Sequence, residues 1–448
     1  MMRKFGRYLL SLVLLHAITT DAFSQRPEWL EREYAIPITE IDLTDQVKQY
    51  PIIATGRQWP CHWVIRGHVG KKHPSVLYNP ELAAIPEYKD FVAGIERPQR
   101  PKPGSQGGGY WPLMIRLNDP TTGRKTDRLA CIFRTGAMHV GPVGNIAIAF
   151  SDDRGRTWTE PKTVIHYDRD LEFDYRHGSL GQAHNGDLLI MDWVSQSCNW
   201  DLKRTGKPDF VATRLSRSTD MGKTWSEPCD LKLRDKLGFG VGPYGPIRRI
   251  GKNTLVVNVR EGATDKSYLA WSHDDGRTWP EVTTISTKRK TETYVLPLSE
   301  REWVGYARAG AGGAWLCRSH DGGKTFPDWK EIKPYRRRVP GCIVKLPDNR
   351  VAVIHTYRQY PFGIRAFLSY DGGKTFDTDV SYVLCDSFWM EDCGYPSSVV
   401  FEDGTVVVAT YATKNREHPE WGTCAVVLEF NHEILRRPKS SGILRKKE

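Results

Sequence analysis

One eight-residue motif recurs five times in this chain of 448 residues and constrains its fold more than any other feature. The pattern is Ser-x-Asp-x-Gly-x-Thr followed by Trp or Phe, with copies that begin at Ser151, Ser218, Ser272, Ser319 and Ser369. An Asp carboxylate accepts backbone N–H bonds in a tight turn, and Gly permits positive φ. Ser and Thr hydroxyls satisfy further polar groups, and the aromatic ring packs between strands. The motif therefore predicts a structural turn, and we do not interpret its five aspartates as catalytic.

The segments between the copies repeat one succession of four short strands. The second strand of each unit is apolar, and the six strands end in turn at Arg134, Trp193, Arg260, Arg308, Arg358 and Tyr411. Units of this kind, about 50 residues long, close radially into β-propellers. The 15 Trp, 19 Tyr and 15 Phe favour strands, and the 40 Gly favour turns. The sequence therefore predicts an all-β fold, a six-bladed β-propeller over residues 110–435 whose last unit lacks the motif.

Residues 25–109 precede the first unit, and we expect them to close the ring rather than to form a separate domain. Two segments, Ala35–Asp42 and Tyr50–Gly56, have strand-like patterns, and either one could supply the closing strand. The Pro- and Gly-rich stretch Arg97–Gly109 then leads into the first blade.

Residues 1–24 have the pattern of a secretory signal peptide. A basic start precedes the apolar run Tyr8–Ile18, and small residues follow at Ala22 and Ser24. This run is shorter than the roughly 20 apolar residues that span a bilayer. We therefore predict export to a secreted or periplasmic location, without stable membrane insertion.

The net charge of +11 comes mostly from the two ends of the chain. Residues 436–448 form a basic tail with six Lys or Arg and one acid, Glu448. No basic-aromatic motif or zinc spacing accompanies this tail, so we expect no nucleic-acid binding. The mildly basic body suits an acidic glycan as a partner.

The nine cysteines show no C-x-x-C spacing, and nothing in the sequence requires a metal or another cofactor. Four of them lie in apolar strand-like runs and are expected to be packing residues: Cys131, Cys317, Cys342 and Cys424. Cys385 and Cys393 flank a loop, and the sequence leaves open whether they pair in an oxidising compartment.

The recurring motif resembles the Asp box of the sialidase, or neuraminidase, superfamily, and the resemblance covers Tyr110–Phe430. It implies a substrate carboxylate held by three arginines, a Tyr nucleophile supported by a Glu, and an Asp that donates a proton. On this resemblance, TLVVNVR offers Arg260 as the second arginine and IRAFLSYDGGKTF offers Arg365 as the third. The segment CGYPSSVVFEDG offers Tyr395 as the nucleophile.

Three positions depart from the family pattern. Trp111 stands at the first arginine, Gly245 stands at the supporting Glu, and no Asp occupies the loop RTGAMHVGPVG. In that loop His139 is the strong proton carrier, since imidazole titrates near neutral pH and can act as an acid or a base.

The arginines at the ends of second strands form a second group of candidates: Arg134, Arg260, Arg308 and Arg358. Asp boxes of this superfamily lie opposite the active-site face, so these strand ends are expected near the mouth. We expect roughly half of them to bind ligand, because an Arg fork matches a carboxylate or sulfate bidentately. Asp174, His177, Glu391 and Asp392 are more simply loop-structuring groups, and His184, His273 and His320 are expected at the surface. Whether Trp111, Trp193 and Trp421 stack on sugars or form core stays open.

The leading functional hypothesis is an exported, sialidase-like carbohydrate-active enzyme, an exo-glycosidase that releases a terminal acidic sugar. The second hypothesis is a uronate-specific polysaccharide lyase in which His139 and Tyr395 exchange protons as base and acid. The third hypothesis, from a different class, is a non-catalytic glycan-binding propeller that keeps the arginines.

Overall fold

The computed structural model shows a protein built almost entirely of β-strands. The residues that it describes are 39–53, 109–135, 144–168, 171, 173–196, 210–261, 266–287, 290–309, 313–332, 340–358, 361–388, 393–412 and 424–437. Their strands form six sheets. These sheets are the blades of a six-bladed β-propeller, which confirms the predicted fold class.

Each of the first three blades consists of four antiparallel strands that follow one another in the chain. The first blade contains β3 (Tyr110–Asn118), β4 (Lys125–Thr135), β5 (Asn145–Ser151) and β6 (Lys162–Ile165). The second contains β7 (Asp174–Gln182), β8 (Leu188–Ser195), β9 (Ala212–Ser218) and β10 (Cys229–Asp230). A one-turn helix α1 (Leu233–Leu237) leads to the third, which contains β11 (Val241–Ile250), β12 (Thr254–Glu261), β13 (Ser267–Ser272) and β14 (Glu281–Ser286).

The last three blades repeat this plan. The fourth contains β15 (Lys290–Pro297), β16 (Trp303–Ala309), β17 (Ala314–Ser319) and β18 (Asp328–Ile332). The fifth contains β19 (Gly341–Lys345), β20 (Val351–Tyr357), β21 (Phe362–Ser369) and β22 (Asp377–Phe388). The sixth contains β23 (Cys393–Val400), β24 (Thr405–Ala412) and β25 (Cys424–Asn431), and two 3-10 turns lie at Thr44–Gln46 and His432–Ile434.

Two N-terminal strands complete the last two blades. β2 (Lys48–Ile53), which overlaps the candidate segment Tyr50–Gly56, pairs antiparallel with β25 and becomes the fourth strand of the sixth blade. β1 (Thr39–Asp42), at the end of the other candidate segment, pairs in parallel with β22 and adds a fifth strand to the fifth blade. An N-terminal strand and the last strands of the propeller therefore form one sheet, and this pairing closes the ring.

The middle strands are apolar on both faces because each blade packs against its two neighbours. Val406, Val407, Val408 and Ala409 of β24 are all fully buried. β-Branched residues suit this pleated environment, since their stiff side chains pack well on a sheet surface. The second strands are therefore continuous apolar runs rather than alternating ones.

The five motif copies form turns with the same hydrogen bonds. In the fifth copy, the Ser369 hydroxyl donates to Asp371 at 2.7 Å and accepts from the Gly373 amide at 2.7 Å. The Thr375 hydroxyl donates to the other Asp371 oxygen at 2.6 Å, and Gly373 has a φ of 86°. Equivalent Thr-to-Asp bonds hold Asp153, Asp220, Asp274 and Asp321. The motif is thus structural, as predicted.

Strand register separates two edges of the propeller. Ser319, where the fourth motif begins, pairs with Trp303 at the start of the second strand of its blade. Arg308, at the far end of that strand, pairs with Thr291 near the start of the first strand. We call these the Asp-box edge, which carries the five turns, and the mouth edge, which carries Arg134, Arg260, Arg308 and Tyr411.

The cysteines whose side chains are described do not form disulfides. Cys131, Cys317 and Cys342 are buried in the sheets, as expected for packing residues. Cys385 and Cys393 are also buried and are not joined by a disulfide, so the structure does not contain the pairing that the sequence left open. The Cys424 side chain lies outside the described part.

Candidate functional site

Bulges interrupt the first strands of several blades at the mouth edge. The pairing register shifts around Trp111 in β3, Glu292 in β15 and Tyr395 in β23. These three residues have left-handed backbone, with φ of 53°, 48° and 53°. A bulge leaves its extra residue unpaired and changes the direction of the side chain, and such backbone costs about 1–3 kcal/mol per residue. Three blades thus hold strained residues at one end of the channel.

Tyr395 lies at the centre of a hydrogen-bond network. Its hydroxyl donates to Glu292 Oε1 at 2.7 Å and accepts from Arg308 Nη1 at 2.9 Å. The same Arg308 nitrogen donates to Glu292 Oε2 at 2.6 Å. Because Tyr395 comes from the sixth blade and the other two residues from the fourth, the network exists only in the closed ring.

The charges of this network fix its protonation. Burial alone would raise the pKa of Glu292, but Arg308, Arg260 and the hydrogen bonds together lower it to about 2. Burial, and then the Glu292 charge, raise the pKa of Tyr395 to about 12 despite the nearby arginines. At neutral pH a neutral phenol therefore donates to a carboxylate, which is the ground state of a nucleophile paired with its base.

Two further arginines, Arg260 and Arg358, lie close to Glu292 and Tyr395. Arg260 Nη2 is 3.8 Å from Glu292 Oε1, and the Arg260 side chain keeps 20% of its surface exposed. Arg358 donates to the Cys393 carbonyl at 2.9 Å, with its guanidinium carbon 5.8 Å from the centre of the Tyr395 ring. With Glu292 ionised, the three guanidinium groups of Arg260, Arg308 and Arg358 leave the cluster positively charged. Such a cluster attracts an anionic ligand.

Aromatic rings enclose Tyr395 on several sides. The ring centres of Trp111, His177, Tyr244 and Tyr411 lie 5.9–6.2 Å from the centre of the Tyr395 ring. His177 stacks on Tyr244 at 5.4 Å, and burial lowers the His177 pKa to about 4. The imidazole is therefore neutral at pH 7, and its Nδ1 lies 3.2 Å from the Pro243 carbonyl, to which it can donate. These contacts hold the Tyr395 ring in place.

Arg134 is buried behind Trp111 rather than beside Tyr395. It is 1% exposed and pairs with Asp174 at 2.8 Å, and its guanidinium lies 6.0 Å from the Trp111 ring. Asp174 also pairs with Arg176 at 3.2 Å. Trp111 is itself only 6% exposed, and Trp193 only 4%. These two tryptophans therefore pack within the protein. Asp174 forms ion pairs with both Arg134 and Arg176, and Arg134 lies next to the Trp111 ring.

The structure does not bring Arg365 into this cluster. Its guanidinium is buried in the fifth blade, donates to the Cys385 carbonyl at 2.6 Å and stacks on Tyr357 at 4.6 Å. His139, Glu391, Asp392 and Trp421 lie outside the described residues. The structure thus brings together Tyr395, Arg260, Arg308 and Arg358 among the sequence candidates, and their ligand-binding roles stay predictions.

Sequence reasoning missed Glu292. It looked for the supporting carboxylate at Gly245, one blade earlier, where a bulge with a φ of 76° is also present. Glu292 precedes Arg308 by almost the same number of residues as Gly245 precedes Arg260. The repeat of that spacing in the next blade was the signal that could have found the carboxylate.

Three further histidines lie next to carboxylates outside the Tyr395 cluster. His273 and His320 are exposed and pair with nearby carboxylates, while His184 is half-buried beside Asp275. In the described part of the chain, no group of three His, Cys, Asp or Glu is arranged to hold a metal ion. No helix described there is long and apolar enough to cross a membrane.

Comparisons with known proteins agree with this architecture. Among solved structures, a protein of unknown function from Dyadobacter fermentans is 24% identical, with a TM-score of 0.57 over 73% of this chain and 96% of that one. The NanB sialidase from Streptococcus pneumoniae is 13% identical, with a TM-score of 0.56 over 76% of this chain and 71% of that one. The intramolecular trans-sialidase from Ruminococcus gnavus is also 13% identical, with a TM-score of 0.56 over 76% and 98%. At sequence identities of 13–24%, these similarities establish that the proteins share a fold.

Family membership rests on the sequence match. No curated protein matches the chain significantly. A family model described as a BNR repeat-like domain matches residues 127–408, which is more than half of the chain. The matched range contains all five Asp-box turns, the four consecutive strands of each of the second to fifth blades, and parts of the first and sixth blades. The chain therefore belongs to the BNR repeat-like domain family, and its six-bladed propeller is similar in fold to solved sialidases.

Proposed function

We propose that this protein is an exported exo-glycosidase that releases a terminal acidic sugar, with Tyr395 as its nucleophile. The observation that carries this proposal is the bond between the Tyr395 hydroxyl and the buried Glu292 carboxylate. A Tyr nucleophile is a known departure from the two-carboxylate pattern of glycosidases.

The hydrogen-bonded pair of Tyr395 and Glu292 supports a mechanism in which Tyr395 forms a covalent bond to the sugar. As the Tyr395 oxygen attacks the anomeric carbon, its proton passes to Glu292 and the glycosidic bond breaks. The departing oxygen takes a proton from an acid, for which His139 remains the sequence candidate. Water then attacks the anomeric carbon and gives its proton to the group that had acted as the acid, the tyrosyl–sugar bond breaks, and Glu292 returns its proton to the Tyr395 oxygen.

The charge of the cluster supports an acidic substrate. Arg260, Arg308 and Arg358 exceed the single charge of Glu292, and Arg260 retains exposed surface. A guanidinium binds a sugar carboxylate through two parallel hydrogen bonds. Because Trp111 replaces the first family arginine, the acidic sugar need not be sialic acid, and uronic acids belong to the same proposal.

The test is a panel of chromogenic sialic acid and uronic acid glycosides with the full chain. Release of the chromophore from at least one acidic glycoside, abolished in Tyr395→Phe, is the expected result. An ultraviolet-absorbing unsaturated product from uronate polymers would establish the lyase instead. Binding without turnover, unchanged in Tyr395→Phe, would establish a non-catalytic glycan-binding propeller and overturn the proposal.

Export is a separate part of the proposal and rests on residues 1–24. Expression of the full chain in an exporting host should yield a mature protein that lacks this segment. N-terminal sequencing of the exported protein checks the cleavage site. Retention of Met1 in a protein that stays in the cytoplasm would contradict it.

A further inference from the structure

A second cavity opens at the Asp-box edge of the central channel, at the opposite end of the first strands from Tyr395. It has a volume of about 460 Å³ and is lined by the later residues of β3, β11, β15 and β23. Asn118 and Lys125, which pair where β3 ends and β4 begins, place it at this edge. We call it the rear cavity. Its volume lies in the range of small-molecule sites, about 300–1,000 Å³.

The rear cavity is positively charged. Arg116, Lys125, Arg248 and Arg249 line it, and none of the described residues in its lining is acidic. Glu402, outside the lining, pairs with Arg116 at 2.8 Å and lies 3.9 Å from Lys125. Asp127, also outside the lining, lies 3.9 Å from Arg116. Two carboxylates beside four cations leave a net positive cavity.

Arg248 is the cation best placed to bind a ligand. It is half-buried, and its guanidinium carbon lies 5.1 Å from the centre of the Tyr294 ring. Within the described ranges, no carboxylate lies within ion-pair distance of it. Arg249, next to it, donates to the carbonyls of Gln182 at 2.8 Å and Ala183 at 2.6 Å, which orient the guanidinium without neutralising it.

Apolar walls complete the rear cavity. Met114, Ile247 and Leu296 line it together with the Tyr294 ring. Aromatic and aliphatic surface packs against the C–H faces of a sugar ring, while arginine forks bind a carboxylate or sulfate. A lone inorganic anion would use the cations but leave most of this volume and the apolar wall without contacts.

We propose that the rear cavity binds an anionic saccharide through Arg248, at a site separate from the Tyr395 cluster. The ligand carries a carboxylate or a sulfate on a sugar ring. Binding there does not depend on turnover at the mouth edge, so the proposal stands or falls independently of the proposed glycosidase function.

The experiment is calorimetric titration of the full chain with glucuronic acid, glucose 6-sulfate, glucose and inorganic sulfate. At least one of the two charged sugars should bind, and glucose and inorganic sulfate should bind at least about tenfold more weakly. Arg248→Gln should weaken that binding about tenfold or more and leave turnover unchanged. Arg248→Lys, which keeps the charge but loses the fork, should give an intermediate affinity.

Matched variants separate the two sites. Arg277→Gln removes an exposed arginine from the third Asp-box turn and should leave binding unchanged. Arg358→Ala removes an arginine of the Tyr395 cluster and should leave the Arg248-dependent binding event intact. Binding that is the same in folded Arg248→Gln and wild type, or that is as tight for glucose or inorganic sulfate as for the charged sugars, overturns the proposal. If Arg248→Gln melts far below wild type, the affinity of Arg248→Lys is the deciding measurement. An affinity equal to that of wild type then overturns the proposal.

Discussion

The two edges of the propeller are made by the same blades but use their residues in opposite ways. At the Asp-box edge, the same Ser, Asp and Thr contacts recur in five blades, each between residues at most four positions apart. At the mouth edge, related bulges carry different residues: Trp111, Gly245, Glu292 and Tyr395. Repetition makes each turn stable within its own blade, whereas variation lets several blades contribute different groups to one cluster.

The two edges also differ in how far apart in the sequence their contacting residues lie. The bond between Tyr395 and Glu292 joins residues 103 positions apart. It forms only after ring closure, while an Asp-box turn can form from its own segment. Changes at the mouth edge should therefore affect chemistry first, and changes at the Asp-box edge should affect stability first.

The largest expected effect is that of Tyr395→Phe. Phe cannot form the covalent bond to the sugar, so kcat should fall by about 10³-fold or more on the natural acidic glycoside. The ring contacts with Trp111 and Tyr244 remain, so the melting temperature should change little. Steady-state kinetics and thermal denaturation measure both quantities, and full activity in this variant would remove Tyr395 from the mechanism.

Glu292→Gln should lower kcat by about 10²–10⁴-fold, because the amide cannot accept the Tyr395 proton. Glu429 is a matched control: it is also buried, and it pairs with Arg156 of the first Asp-box turn at 2.9 Å. Glu429→Gln should change the melting temperature but not the activity of the folded protein. Equal losses of activity in the two variants would mean that Glu292 is only structural.

Arg358→Ala and Arg365→Ala should separate a ligand arginine from a structural one. Loss of a charge-assisted contact worth about 1.5–3 kcal/mol should lower kcat/KM by roughly 10- to 150-fold in Arg358→Ala. Arg365→Ala should mainly lower the melting temperature, because it removes a buried donor to the Cys385 carbonyl. If Arg365→Ala instead lost activity without losing stability, the carboxylate-binding role inferred from the resemblance would hold.

Asp371→Ala should reduce the free energy of unfolding by about 1–2 kcal/mol, because it deletes the acceptor that organises the fifth turn. Turnover per folded molecule should be unchanged. Asp379→Ala removes an exposed Asp from the adjacent strand β22 and should have almost no effect. Urea denaturation measures both variants, and equal stability of the two would contradict the structural role of the motif.

The smallest expected effect is a dependence of thermal stability on pH. The pKa of Glu292 is about 2 in the folded protein, below its ordinary value of 4.5. The ionised carboxylate therefore stabilises the fold above about pH 4.5, and this stabilisation is lost as the pH falls toward 2. The melting-temperature difference between wild type and Glu292→Gln should thus change most between pH 4.5 and pH 2. A difference that stays constant from pH 6 to pH 3 would contradict the lowered pKa.

Local patterns in the sequence were sufficient for the architecture. Each Asp-box turn satisfies its own polar groups, and each strand carries its own apolar pattern, so five motifs and six apolar second strands already indicated six blades. Tyr395 was found through a resemblance, and the arginines were found at strand ends. Neither signal shows which side chains meet, and the resemblance favoured Arg365, which is buried in the fifth blade, over Arg358, which lies beside Tyr395.

The sequence by itself determined the repeat, the blade number and the position of the arginines at one edge, because these depend on contacts within single blades. Only the tertiary structure decided that Glu292 supports Tyr395, that Arg134 and Arg365 are buried elsewhere, and that both N-terminal strands join the last two blades. The physical reason is that the Tyr395–Glu292 and β2–β25 contacts join segments far apart in the chain, while the burial of Arg134 and Arg365 depends on how strands pack within and between blades. Their partners depend on bulges and ring closure, and no local pattern specifies either.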